Sequence, residues 1–552
     1  MSKKQLKFKL KKHLKLGAMA AENDRDYLYD CFVDTGDYDT LVNTRDDRSI
    51  ILGRTGSGKS ALLEIVKRRE ENIIEIHPEE LSLNYISHSN VIKLLEECGV
   101  NLDPFYQLLW KHVFAIELIK YKYKITDESS ARSTIDQLLN IFRKDKSKEV
   151  AVEYLVKWHD KFWLPVEERV KEITSKIEEQ LNNKLKVGGG VPKLVNISDE
   201  FVVTKNLNKE EKQQIKNRVQ SAVDSVQIQE LHRVIKLLGE DVFTDEQQKF
   251  YVLIDKLDET WVENKTRFKL IRALFNTIVS FRKVRTVKFL LAMRQDLLQT
   301  VFNRTRDASF QEDKQRDYML NLSWSDSELK ELLDLRVGSL FQRQYEKKDA
   351  KFYDIFSRHV GNQDTLSWIL ERTMMRPRDV IFFCNLCLEK AVGESSINSA
   401  KIKDVEVTYS RERLEAVCQE WKEEYPSLEL VVDILKRKKN GFTHSDISRE
   451  QIEKLASEIF VKEFPTTDDI SSWSVDLTNK DISRATYINR LFSIFYKVGI
   501  VGIKRDGHES AIWAFIDTPT ITETEVKRSS HFYIHPMFWR VLGTHNDTRK
   551  QK

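Results

Sequence analysis

Residues 49–66 read SIILGRTGSGKSALLEIV, an apolar stretch that runs into glycine, lysine and serine and then into a helical apolar pattern. Gly53, Gly58, Lys59 and Ser60 satisfy the GxxxxGK[ST] spacing, and the order of strand, glycine-rich turn and helix is the context this spacing needs. Glycines let successive backbone N–H groups close around phosphate, and the N-terminus of the following helix adds about half a positive charge. The stretch therefore predicts a phosphate-binding loop for ATP made by Gly53, Arg54, Thr55, Gly56, Ser57, Gly58, Lys59, Ser60 and Ala61. Lys59 would reach the β- and γ-phosphates, and Ser60 would place its hydroxyl on Mg2+.

A second buried strand ends in acids. Residues 249–259 read KFYVLIDKLDE. Asp255, at the strand end, is the candidate Mg2+ ligand, and Glu259 or Asp258 would orient and polarise the attacking water. Lys256 stands where many ring-forming AAA+ motors carry glutamate, which argues for slow hydrolysis. A third strand, VKFLLAMRQD (287–296), ends at Arg294, a candidate γ-phosphate sensor. Arg304 and Arg306 follow it and could act in trans on a neighbouring subunit. Further on, Arg376, Pro377 and Arg378 open an apolar helix, with proline in its favoured first-turn place. Arg378 is the candidate phosphate contact from a lid.

The strands at 49–52, 73–76, 250–254 and 287–293 alternate with helices, the signature of a parallel sheet covered by helices with ligand at the strands' carboxyl ends. At 552 residues, the chain has length for three or four packed domains. An N-terminal basic segment and helix (1–45) lead to the first part of the ATPase core (46–150). A helical insertion (151–245) follows, with Gly188, Gly189 and Gly190 at its tip between two amphipathic helical stretches. The core resumes over 246–320, then come a helical lid (321–425) and a winged-helix-like domain (426–552). The last rests on helices near 428–438, 445–460 and 484–498 before two short strands, 499–504 and 511–516. The helix at 484–498 offers Arg484, Tyr487, Asn489, Arg490 and Lys497 to duplex DNA, and the wing offers Lys504, Arg505 and His508 beside the acids Asp506 and Glu509.

Composition narrows the class further. No run of 18 apolar residues occurs, and the N-terminus lacks the apolar core of a secretion signal, so the expectation is a cytoplasmic protein with no membrane segment. Five cysteines are too few and too scattered for a disulfide framework, and Cys384 and Cys387 lie in an apolar helix as core residues. Charge is balanced, 90 basic against 86 acidic residues, so it neither demands nor excludes nucleic acid. Within the first sixteen residues, which carry seven lysines and no acid, Leu6, Phe8 and Leu10 alternate with lysines as in an exposed edge strand. A phosphate-binding arm is the other reading. No HExxH, zinc-ligand set or LSGGQ-like signature is present, and His531 and His535 read as packed beside an aromatic stretch.

At DRDYLYDCFVDTGDY, ILGRTGSGKSA, FYQLLWKHVFAIELI, IDKLDETWV, KFLLAMRQDLL, RTMMRPRDVIFFCN, YSRERLEAVCQEW and FYIHPMFW, nearly end to end, the chain resembles a bacterial group of P-loop ATPases. That group is related to the STAND, KAP and origin-recognition branches of AAA+ proteins. The resemblance implies an α/β P-loop NTPase of ASCE type, with Lys59, Ser60, Asp255 and Glu259 as its nucleotide and magnesium residues. It also implies Arg294 at the arginine that STAND proteins place after their third core strand. Relatives of this architecture occur in mobile elements and antiphage defence. The expected function is an ATP-hydrolysing conformational switch in antiphage defence, acting slowly as a homo-oligomer, with an effector nuclease or toxin encoded nearby. The alternative is a DNA-binding ATPase of origin-recognition or transposition-helper type.

Overall fold

The computed structural model describes residues 8–81, 83–124, 235–259, 261–305, 315–346, 350–462, 464–465, 468–506 and 510–545, with isolated helical residues between 168 and 233. The glycine break at 188–190, most of the helical insertion, Arg306 and His508 lie outside the described residues. The chain clusters into two compact units, one of Gly36–Leu52 and Leu62–Asn321, the other of Met1–Thr35, Gly53–Ala61 and Leu322–Lys552.

A five-stranded sheet, in the first unit apart from Gly53, is built from β1 (Ile50–Gly53), β2 (Ile73–Ile76), β3 (Phe250–Ile254), β4 (Val287–Arg294) and β5 (Met319–Asn321), in the order β2-β3-β4-β1-β5. The ladders β2–β3, β3–β4 and β1–β5 are parallel. Every residue of β3 is buried, as expected of a strand covered on both faces. Helices α1 (Lys59–Arg69), α2 (Asp103–Tyr123), α3 (Asn264–Phe281) and α4 (Gln295–Thr305) are the long connections. Phe114 of α2 packs 4.4 Å from Phe289 of β4 and 5.5 Å from Phe281 of α3, and Trp110 Nε1 donates to the Leu270 carbonyl at 2.8 Å. The four strands predicted from sequence appear within a residue or so of their expected bounds; β5 is additional.

The second unit shares one apolar core that runs from Leu10 to Leu542. Its helices include α5 (Asp326–Tyr345), opened by a Ser325–Glu328 capping box, α6 (Pro377–Lys390) and α7 (Ser399–Glu420). A hairpin of β6 (His359–Val360) and β7 (Gln363–Asp364) precedes α6. Further along come β8 (Gly441–Phe442), α8 (Arg449–Val461), α9 (Asp469–Asn479), α10 (Arg484–Val498), β9 (Val501–Lys504) and β10 (His531–Ile534), the strands forming an antiparallel sheet in the order β8-β10-β9.

Three expectations change here. The edge strand expected near the N-terminus is not formed at 8–11: Leu10 is buried at 1% exposure and exchanges backbone hydrogen bonds with Gly393 and Glu394, outside any strand. The second wing strand at 511–516 reduces to one bridge, Ile503 to Ile512. The Asp517 carboxylate accepts from Trp513 N at 2.7 Å and closes the following residues into a turn, so β10 pairs with β9 instead. Helix α9 is unforeseen; the polar run DDISSWSVDLTN hides it, while Asp468 caps it through Ile470 N at 3.1 Å.

Candidate functional site

The glycine-rich loop leaves β1 and enters α1 at Lys59. Gly56 (φ +82°) and Gly58 (φ +103°) take left-handed backbone that L side chains rarely adopt. A Cβ on Gly56 would come within 2.8 Å of Arg378 Cβ, so glycine is required for space as well as for conformation. Lys59 Nζ donates to the Gly53 and Arg54 carbonyls at 3.0 and 3.1 Å.

Side chains of the helical unit hold this loop by its carbonyl groups. Trp324 Nε1 donates to Ser57 O at 2.7 Å, and Arg376 Nη1 to Thr55 O at 2.9 Å. Arg378, the expected lid arginine, lies across Gly56, its backbone N–H donating to the Gly56 carbonyl at 3.4 Å and its Nε to Met19 O at 3.4 Å. Burial, and then Arg376 beside it, lowers the Arg378 guanidinium below its ordinary value. Arg376 is fixed in turn by the fully buried Asp379, with Nε to Oδ2 at 2.8 Å, and Arg413 Nη1 reaches the other carboxylate oxygen at 3.2 Å. Burial alone would raise Asp379, but the two guanidiniums outweigh it and hold its carboxyl below the usual carboxylate range. On the other side, Arg54 Nη2 donates to Val498 O at the end of α10 at 2.8 Å, with its guanidinium 5.9 Å from the Phe515 ring centre.

The loop fits a phosphate-bearing ligand. Among the described residues, buried Thr55 Oγ1 and Ser57 Oγ have no hydrogen-bond partner, and the glycines leave backbone N–H groups to turn at a helix N-terminus. Trp324 and the carbonyl-binding role of Arg376 were not legible from sequence, because their partners are main-chain oxygens hundreds of residues away.

The other candidates belong to the sheet unit. Asp255 follows β3 half-buried, its Oδ1 accepting from Lys256 N at 2.8 Å. Lys256 takes left-handed backbone (φ +61°), which turns the chain so that Glu259 N reaches Lys256 O at 3.1 Å. Asp258 and Glu259 are exposed, and Lys256 Nζ lies 3.8 Å from Glu259 Oε1. Partial burial raises the Glu259 carboxyl above its ordinary value; Lys256 opposes this and Glu79 reinforces it. Buried Arg267, unnoticed in the sequence, pins the acidic turn by donating to the Asp258 and Glu259 carbonyls at 3.3 and 2.9 Å. Arg294, at the end of β4, grips Asp296 through two bonds, 3.1 and 2.5 Å. Arg304 is exposed on α4.

The face expected to meet DNA divides between buried and exposed positions. Tyr487 and Asn489 are buried, their side chains bonded to Ser474 and His444. Arg484, Arg490 and Lys497 each lie beside a carboxylate, of Glu453, Glu523 and Glu424. Lys504 is half-buried at the end of β9, and Arg505 is 3.1 Å from Glu525. Tyr487 and Asn489 face the protein, where Ser474 of α9 and His444 take their side chains, whereas Arg484 and Arg505 stay exposed. Cys384 and Cys387 are core residues, and buried His535 packs edge-on to Trp513 and Phe515. Among the described residues no helix is long and apolar enough to cross a membrane.

Residues 327–418, which take in α6 and nearly all of α5 and α7, match the FunZ-associated C-terminal helical domain. Over 538 residues the chain is 21% identical to the transposon gamma-delta 80.3 kDa protein of Escherichia coli (strain K12), an alignment covering 96% of this chain and 66% of that protein. The chain thus spans just under two thirds of that relative's length. These two similarities link it to mobile elements.

Proposed function

We propose that the chain is an ATP-binding P-loop ATPase of ASCE type that works as a conformational switch on a mobile element. The observation that carries this reading is the grip of Trp324 and Arg376 on the glycine-rich loop, with Arg54 tying the loop to Val498, because phosphates seated there would compete with or reshape those contacts. The strand order, with β4 between β1 and β3, supports an ASCE core. In that core Lys59 would hold the phosphates, Ser60 and Asp255 the Mg2+, and Glu259 or Asp258 the attacking water, with Arg294 and Arg378 as sensors. The bound Mg2+ would supply charge neutralisation on the phosphates. Lys256 beside Glu259 supports slow turnover, dependent on an oligomer or a partner. Antiphage defence with a separate effector is one setting for such a switch.

A fluorescent ATP analogue should bind with Mg2+, and limited proteolysis should show different cleavage of the helical unit with and without it. Lys59→Ala should abolish both effects. An unchanged digestion pattern with saturating nucleotide would end the switch reading. The transposon name of the relative favours the second reading, an ATPase that aids transposition on DNA. The three-helix, three-strand module of β8 to β10 supports a winged helix for that role. Salt-dependent duplex binding weakened by Lys504→Ala is its test, and no binding at low salt rejects it.

A further inference from the structure

At the amino ends of β1 and β4, within the sheet unit, lies a cavity of about 490 Å³. Asp255 and Glu259 follow the carboxyl end of β3 and Arg294 ends β4, so the cavity is a different place from the acidic turn. Lys288 of β4 lines it and is 4% exposed. Its ammonium donates to the main-chain carbonyls of Asn43 at 3.0 Å and Asp46 at 2.5 Å. An ammonium has three donors, so one is left for the cavity.

The charges around Lys288 are unbalanced. Arg45, Lys249 and Arg285 also line the space; all three are exposed, and none forms an ion pair among the described residues. The two nearby aspartates are already engaged. Asp46 receives Arg48 through Nε and Nη2 at 2.9 and 2.6 Å, and Asp47 pairs with Arg282. Glu246 is the remaining acid in the lining. Like charges gathered around a concave space repel one another unless an anion joins them, and a cavity of this size matches the range of small-molecule sites.

We propose that this cavity binds a small phosphate-bearing anion, with Lys288 at its base and Arg45 and Arg285 at its mouth. It stands independently of ATP binding at the glycine-rich loop. The chemistry is shared by free phosphate and by phosphate esters, and both are small enough to enter.

The test is calorimetric titration of the full chain carrying Lys59→Ala, which silences the loop, with inorganic phosphate, pyrophosphate and AMP in turn. Saturable binding is expected for at least one of them. Adding Arg285→Glu or Arg45→Glu, both at exposed positions, should weaken it about tenfold or more. Lys288→Met should do the same if it folds, as checked by thermal melting; the two arginine variants decide the matter if it does not. Equal affinity for phosphate and AMP assigns the site to the free anion, and tighter AMP binding assigns it to an ester; either supports the proposal. No saturable binding, binding unmoved by both arginine variants, or loss of duplex DNA binding alone in those variants would overturn it.

Discussion

Replacing Asp379 by Asn keeps the shape of its side chain and removes its charge. Asp379 is fully buried, and Arg376 and Arg413, 5% and 8% exposed, both bond to it. Breaking such a group leaves Arg413 without its carboxylate and Arg376 with Glu420 alone, 3.8 Å away, which costs about 3–5 kcal/mol. At roughly 2–4 °C per kcal/mol for a unit of this size, the melting transition should fall by at least about 6 °C. The pH dependence follows from the depressed carboxyl. Its stabilisation is present above the ordinary carboxylate value of 3.8 and is lost as pH falls through the lower folded value. Wild type should therefore lose its advantage over Asp379→Asn only in strong acid.

The same substitution should also act on the loop. Arg376 donates to Thr55 O from the same guanidinium that Asp379 fixes, so nucleotide binding should weaken with stability. Glu406→Gln is the control. Glu406 is also buried, at 3% exposure, and bonds to Arg372 and Arg540 at 2.6 and 2.8 Å, yet among the described residues neither arginine hydrogen-bonds to the loop. Comparable melting losses with weaker ATP-analogue binding only in Asp379→Asn are expected. A melting shift under about 2 °C, or equal loss of binding in both variants, would refute the reasoning.

Gly56→Ala should cost about 1–2 kcal/mol from left-handed backbone strain alone and displace Arg378, lowering analogue affinity in a fluorescence titration while Gly36→Ala, whose Cβ meets nothing within 4 Å, leaves affinity unchanged. His535 gives a pH signature. Burial pushes its imidazole down to about 3, so it stays neutral in the folded chain while the unfolded chain takes up a proton below about pH 6.5. Stability should therefore fall with acidification through that window by about 1.4 kcal/mol per unit. His535→Gln should remove that slope in urea unfolding between about pH 7 and pH 5, and an unchanged slope would reject the assignment.

The sheet was readable because β1, β3 and β4 are apolar runs bounded by polar residues, a pattern set by local burial. β5, three residues long, has too little length to carry a period, and it forms because β1 offers an edge beside it. The glycine spacing at Gly53, Gly58 and Lys59 was equally local. What could not be read was everything fixed by distant backbone. Tyr487 and Asn489 looked polar and exposed along α10, but Ser474 of α9 and His444 bury them, and α9 itself was concealed by residues that favour turns. The Arg294–Asp296 grip joins residues only two apart, so its partners stand side by side in the sequence.

Arg54 is the residue that fills the first variable place of the glycine-rich motif, and its guanidinium ends on the last carbonyl of α10, 444 residues further along the chain. That bond makes the loop and the C-terminal module thermodynamically linked: a ligand that moves Arg54 works against the module, and anything that seats on the module and shifts Val498 changes the loop's affinity by the same factor. An affinity measured on a chain truncated before α8 would therefore describe a different protein, one whose loop has lost part of the load it is built to lift.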